Sequence, residues 1–562
     1  MIKRNKALFY LLMIYFIVVL IKVILSPLVP YPLYLSDERQ YVEMSRSFLN
    51  QGNFFFEGNP SQQYPPLYPI FLLPTSFFEK IVAYPLIKIM NAFVTTSIIF
   101  PVYLISREFL KEKRAITIAT LSLFIPESFV LSFTIMSENL FFPLFMFSIY
   151  FMLKSFSENN KKWDILCGLF IGLSILTRMI GLTLLVAIIP ILLIKAFYIK
   201  KSFKEKIKVF FLNKLFLFLI LFLIIIPWFV RNLYYFGFSV SGLFGEYGIG
   251  KTSGSILMNG ELISNIITFF FINIAYIIFG SGILFFALTI FLTKNLQNYR
   301  SIKLFNLILI TWALFAVFIL LCTYMSFTDL AARFTGSAVK IMGRYLASIL
   351  PIFLITGGIG LNLYKNKFKE LFIVLVFCSV VLAFLPTDKL IATFDTLSLH
   401  LLYLPQYFFG TYFITKIGLI ILPIIIFIGR KYFLTWKYAL IILFIFFITS
   451  SSIATIAIHI GSLDAKDYME FAIWMNSNIS KNSIIFVNKN KDNPNELFWA
   501  IESIKFWTDN KVIIGNINML NKGDDYVISK SILDLPLIMK INTKEGIFNP
   551  KTEVFYFYKN LK

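Results

Sequence analysis

The chain has 562 residues, of which 58% are hydrophobic and 15% charged. Soluble proteins carry about 25% charged residues, so this composition excludes an ordinary soluble globular domain. The formal net charge of +22 does not point to nucleic acid, because Lys and Arg gather in short loops between apolar runs, as the positive-inside rule requires.

Apolar runs of about 20 residues follow one another, the length that crosses about 30 Å of hydrocarbon. A polytopic α-helical membrane protein is expected. Cys167, Cys322 and Cys378 lie inside apolar runs without metal-ligand spacing, which argues against a disulfide framework or a zinc site. His400 and His459 are too far apart to form a motif.

Lys3, Arg4 and Lys6 precede the first span, about Ala7 to Ser26. No small-residue cleavage site follows it, so it reads as a retained anchor. The charge rule places the N-terminus in the cytoplasm and the next loop outside. That loop carries the side-by-side acids Asp37 and Glu38 and then YPPLYP at 64–69. The apolar piece Leu67 to Phe78 contains Pro69 and Pro74. It is too short to span and should lie at the interface. Spans 2 and 3 are expected over about Tyr84–Ser106 and Ala115–Met136, emerging outside at Ser137-Glu138-Asn139. Lys22 and Lys88 fall inside spans, each near an interface it can reach.

Spans 5 and 6 form a tight pair over Ile165 to Ile194, with Arg178 near the outer end of span 5. Span 7, about Leu215 to Val230, ends outside at Arg231, after Pro227-Trp228. A loop over 328–343 leads to Arg344-Tyr345 at the head of span 10. Later spans flank the basic turns around Lys365–Lys369 and Arg430–Lys437. The charge pattern gives about 13 spans and an external C-terminus. From about Leu463 polar residues rise and no further span fits. Helices are expected at Asp467–Asn478 and Glu496–Trp507, and strands at Ser483–Asn488, Lys511–Gly515, Tyr526–Ser529 and Val554–Tyr558. The chain thus divides into a transmembrane part, 1–462, whose first external loop is 27–83, and a small α/β domain, 463–562.

Asp37, Glu38, Glu138, Arg178, Arg231 and Arg344 all fall on the outer side of this plan. Taken singly, each arginine is as well explained by an interfacial anchor, and the acid pair by a solvated loop. Three acids and three arginines on one leaflet favour a joint site. A guanidinium holds phosphate in a bidentate fork, and a carboxylate can take a proton from a hydroxyl.

These residues carry a resemblance. Asp37-Glu38, YPPLYP at 64–69, Ser137-Glu138-Asn139, GLFIGLSILTRMIGL at 168–182, PWFVRNLYYFG at 227–237 and GRYLASILP at 343–351 occur in the order found in the GT-C class of membrane glycosyltransferases. The protein O-mannosyltransferases and the lipid A aminoarabinose transferases are the most similar groups. The resemblance implies a GT-C fold and a polyprenyl- or dolichyl-phosphate sugar as donor. The sugar would be a mannose-like hexose and the acceptor a protein, glycan or lipid outside the cell. It makes Asp37 the base and gives Glu38 an assisting or acceptor-binding role. Glu138, Tyr64, Arg178, Arg231, Arg344 and Tyr345 would bind substrate. Some relatives carry Lys before the Pro-Pro pair where this chain has Tyr64. No cofactor or metal site is carried over. A lipid-linked sugar flippase is the competing reading, but it expects inverted repeats and ionisable groups near the bilayer midplane. A membrane scaffold would leave the one-sided charges unexplained.

Overall fold

The computed structural model describes residues 2–33, 35–62, 64–158, 160–197, 214–238, 260–299, 301–332, 341–364, 368–384, 395–463, 466–480, 482–488, 498–508, 510–520, 525–530, 532–542 and 554–560. Residues 198–213 of the basic loop, 239–259 of the loop expected after span 7 and 333–340 of the loop expected over 328–343 lie outside them, and 328–332 continue a helix, Ile302–Ala332.

Helix α1 (Ile2–Leu25) leads into α2 (Leu35–Gln51). A two-stranded ribbon of β1 (Phe55–Phe56) and β2 (Asn59–Pro60) and the short α3 (Leu67–Leu72) follow. The six-residue α3 lies where the non-spanning piece is expected. Then come α4 (Lys80–Thr96), α5 (Ile99–Arg107), α6 (Glu112–Ser122), α7 (Pro126–Val130), α8 (Glu138–Ser157), α9 (Lys161–Thr177) and α10 (Leu182–Phe197). Among the described residues, 7 helices are long and apolar enough to cross a membrane, or up to 9 if each bent pair is one span. This is fewer than the thirteen expected, because several apolar helices are shorter, such as Met179–Lys195 and Phe413–Ile428.

Two expected spans are broken. Glu112–Ser122 and Pro126–Phe133 meet at 68°, where Pro126 opens the second helix at a position that needs no N–H donor. Ile266–Gly280 and Ile283–Lys294 meet at 102°, with Gly282 at φ 78, a conformation that suits glycine. The helix that carries expected span 7 continues past Arg231 to Phe236.

Helix α8 is apolar nearly all round and buried on most of its faces, as a central helix must be. It defines two ends of the bundle. Glu138 opens it at one end. Near the other, Lys154 pairs with Glu108 at 2.6 Å and Glu158 at 3.0 Å. Lys22 and Lys88 turn inward. Both are buried, Lys22 donating to the Ser128 carbonyl and Lys88 to those of Ser26 and Val29. A charged amine surrounded by apolar residues is retained where backbone oxygens satisfy it.

After the long helix Trp436–Leu463 comes the helix Lys466–Asn478 and then a five-stranded sheet. Its strands are β3 (Ile484–Asn488), β4 (Lys511–Gly515), β5 (Tyr526–Ser529), β6 (Leu537–Asn542) and β7 (Val554–Lys559), in the order β4-β3-β5-β7-β6. β3 is parallel to β4 and β5, while β7 is antiparallel to β5 and β6. A second helix, Phe498–Trp507, lies between β3 and β4 in the chain. The apolar core under the sheet, including Tyr468, Phe471 and Phe555, is continuous with Tyr41, Tyr64 and Tyr68 of the first loop. Charged contacts cover this seam. Arg39 pairs with Glu502 at 3.0 Å and Glu57 at 2.9 Å, and Lys505 pairs with Glu57.

Candidate active site

Asp37 and Glu38 occupy the first turn of α2. Consecutive helical residues point about 100° apart, so the two carboxyls part company. Glu38 is fully buried. Its Oε1 accepts the Leu33 N–H at 2.8 Å and its Oε2 accepts the Ile135 N–H at 3.0 Å. It joins the chain ahead of α2 to the segment ahead of α8. Asp37 is 28% exposed. The Tyr64 hydroxyl donates to its Oδ1 at 2.6 Å, and Arg344 Nη1 lies 3.9 Å from its Oδ2.

Glu138 is the first residue of α8, where the helix dipole favours a carboxylate. It is fully buried and paired with Arg178, and Arg344 Nη1 lies 3.4 Å from its Oε1. Arg344 also pairs through Nε with Asp395. Arg178 donates to Ser137 Oγ at 3.3 Å and lies 4.9 Å from the centre of the Tyr345 ring. Tyr41 reinforces the group, its hydroxyl 2.7 Å from Ser137 Oγ. The carboxylates of Asp37, Glu138 and Asp395 and the guanidiniums of Arg178 and Arg344 thus form one charge cluster at this end of the bundle.

Buried amides hold the chain that delivers Glu138. Asn139 donates to the carbonyls of Leu131, Thr134 and Met136 and accepts from Thr95. Gly343 lets Arg344 approach, since a Cβ there would collide with the Asp395 carbonyl and crowd the Tyr276 ring. Tyr276 in turn donates to the buried Glu127, which also accepts from the Ser398 N–H at 2.7 Å.

The structure therefore brings together Asp37, Tyr64, Glu138, Arg178, Arg344 and Tyr345. Arg231 sits apart from this charge cluster. It donates to the Ser61 carbonyl at 2.7 Å and the Phe54 carbonyl at 3.0 Å, and it stacks on Trp228. Its two carbonyl acceptors belong to the loop carrying the β1–β2 ribbon. Sequence reasoning missed Asp395, which stands in a polar stretch without a motif. It also missed Glu127, an acid inside an apolar run, a signal that was readable. Among the described residues, no group of three or more His, Cys, Asp or Glu is arranged to hold a metal ion.

A family described as dolichyl-phosphate-mannose-protein mannosyltransferase matches residues 70–228. The match contains Glu138, Arg178 and the start of the 227–237 motif, and it begins after Asp37. No curated protein matches the sequence. Crystal structures of ArnT from Cupriavidus metallidurans share the fold over nearly their whole length. The apo form aligns with a TM-score of 0.58 at 13% identity, covering 98% of each chain. The form bound to undecaprenyl phosphate aligns with a TM-score of 0.59 at 12% identity, covering 97% of each chain. The chain thus has the fold of the GT-C membrane glycosyltransferases, and among them it resembles ArnT and the dolichyl-phosphate-mannose-protein mannosyltransferases.

Proposed function

We propose that this protein is a glycosyltransferase that moves a mannose-like hexose from a polyprenyl or dolichyl phosphate to a hydroxyl of a protein, glycan or lipid. The observation that carries the reading is the carboxylate of Asp37, partly open and held between the Tyr64 hydroxyl and Arg344. The fold shared with ArnT bound to undecaprenyl phosphate supports a lipid phosphate as the donor's carrier. In this reading Asp37 takes the proton of the acceptor hydroxyl. The acceptor oxygen bonds to the anomeric carbon as that carbon's bond to the phosphate oxygen breaks, and the lipid phosphate leaves with the electron pair. A single displacement inverts the anomeric configuration. Arg178 and Arg344 are the candidate phosphate holders, and a guanidinium that meets charge as it develops lowers the barrier as well as binding the donor. Tyr345 shapes the Arg178 side chain's wall. Glu38, engaged by two backbone N–H groups, and Arg231, engaged by two carbonyls, serve as supports in this scheme.

The topology belongs to the same proposal: a multi-pass protein of the cell membrane, N-terminus in the cytoplasm, with Asp37 and residues 463–562 outside. The test is transfer of radiolabelled sugar from a polyprenyl-phosphate donor in reconstituted membranes. Wild type is expected to label an acceptor, and Asp37→Asn to lose transfer while still binding donor. Near-normal transfer by Asp37→Asn would remove it as the base. Lipid movement across the bilayer without transfer would establish the flippase reading instead.

A further inference from the structure

At the end of the bundle away from Asp37 lies a cavity of about 680 Å³, between α1, α6 and the helix Trp436–Leu463. Its size is within the roughly 300–1,000 Å³ usual for ligand pockets. α6 starts four residues after Glu108, which pairs with Lys154 near the far end of α8. The walls are mainly apolar, with Ile14 from α1 and Phe444 from the long helix. Both helices also carry exposed large apolar side chains outside the cavity lining, among them Met13 and Ile445. In a bilayer these side chains meet acyl chains.

One part of the cavity is lined by three cations, Lys113, Arg114 and Lys437. Lys113 and Arg114 are the second and third residues of α6, and Lys437 is the second residue of its helix. Cations in a first turn oppose the helix dipole, whereas an anion there is favoured. Glu112 shares the first turn of α6 but makes no ion pair with any of the three among the described residues. Arg114 is fixed, stacked 4.7 Å from the Trp436 ring centre and donating to Asn362. Lys113 and Lys437 are exposed.

We propose that this cavity binds an anionic phospholipid of the surrounding bilayer, an acyl chain along the apolar wall and the headgroup phosphate on Lys113, Arg114 and Lys437. Basic pockets between membrane helices suit such headgroups, and the guanidinium adds a planar fork for phosphate oxygens. The donor's lipid phosphate is a poorer occupant. The 20 residues of α8 separate the two ends by about 30 Å, so a phosphate held here could not present its sugar to Asp37.

The test uses the full-length protein in detergent, with thermal unfolding read after adding dioleoylphosphatidylglycerol, dioleoylphosphatidylcholine or a polyprenyl phosphate. Phosphatidylglycerol is expected to raise Tm by several degrees and phosphatidylcholine not to, because a ligand bound only to the folded state stabilises it. The double variant Lys113→Gln, Lys437→Gln is expected to unfold at the wild-type temperature without lipid and to lose the phosphatidylglycerol shift. Equal shifts from both phospholipids, or a phosphatidylglycerol shift that survives the double variant, would overturn the proposal. So would a shift by polyprenyl phosphate alone that the double variant abolishes. Native mass spectrometry of wild type from mixed-lipid nanodiscs provides a second reading: retained phosphatidylglycerol supports the site, and retained phosphatidylcholine or no lipid refutes it.

Discussion

Replacing Asp37 with Asn keeps the size of the side chain and removes its ability to accept a proton at neutral pH. Loss of a general base is expected to slow transfer by about 10²–10⁴-fold, with Tm near wild type because Asp37 is partly open. Glu38→Gln is expected to behave in the opposite way. Its amide would turn a donor toward the Leu33 or Ile135 N–H, at a cost of about 1–3 kcal/mol of stability. Thermal unfolding beside transfer kinetics separates the two. Composition and spacing do not distinguish these neighbouring acids; the backbone N–H groups of Leu33 and Ile135, which both point at Glu38, do. The arginines divide along the same line. Arg344→Ala removes one of the two arginines on Glu138 and the Nε contact to Asp395, a change worth up to about 3–5 kcal/mol for a buried pair, and is expected to raise the donor KM. Arg231→Ala is expected to leave the donor KM unchanged and to speed proteolysis within 52–62, since it releases two backbone carbonyls of that loop. An unchanged KM in Arg344→Ala, measured against lipid-linked donor in a normally folded variant, would end its role as phosphate holder.

Helix α2 is the element on which these side chains depend, and it was readable. Tyr41, Met44, Ser45 and Phe48 recur at helical spacing on one face, yet the segment reads as a loop when attention rests on its charges. The short bends were less readable, because a proline or glycine inside an apolar run marks a break without giving its angle. The strand β6 escaped because its residues, Leu537 to Asn542, follow Pro536 directly and lack a clean alternation. The seam between α2 and the sheet is expected to respond to acid. Burial would raise the Glu57 carboxyl, but the Lys505 ammonium and the Arg39 guanidinium outweigh it and hold the group below its usual 4.5. A depressed carboxylate contributes stability that is complete above its unfolded value and is lost as pH falls through the folded one. Glu43 acts with the opposite sign, since burial raises it despite Arg39. Hydrogen exchange over 35–60 is expected to stay protected from pH 7 to 5 and to rise below about 4.5. Glu57→Gln should show the faster exchange already at pH 7. Identical exchange in both proteins across that range would remove Glu57 from the seam.

For the whole molecule, the charge pattern made the membrane class and the common side of the acids and arginines legible, because loop cations and apolar run lengths are additive sequence properties. The number of full-length spans was not, because a run of the right composition can be folded as two short helices at 68° or 102°. Reporter tags within 107–114 are expected to read cytoplasm and at the C-terminus outside; both on one side would overturn the proposed plan. The Arg39–Glu502 pair joins residues 463 apart in the chain. At roughly 5–20 residues per second of synthesis, Arg39 leaves the ribosome about 20–90 s before its partner. Throughout that interval the helix bearing Asp37 lacks one of its clamps, so the order of manufacture is itself a timer: α2 gains its contact with the helix Phe498–Trp507 only after the rest of the bundle has been made.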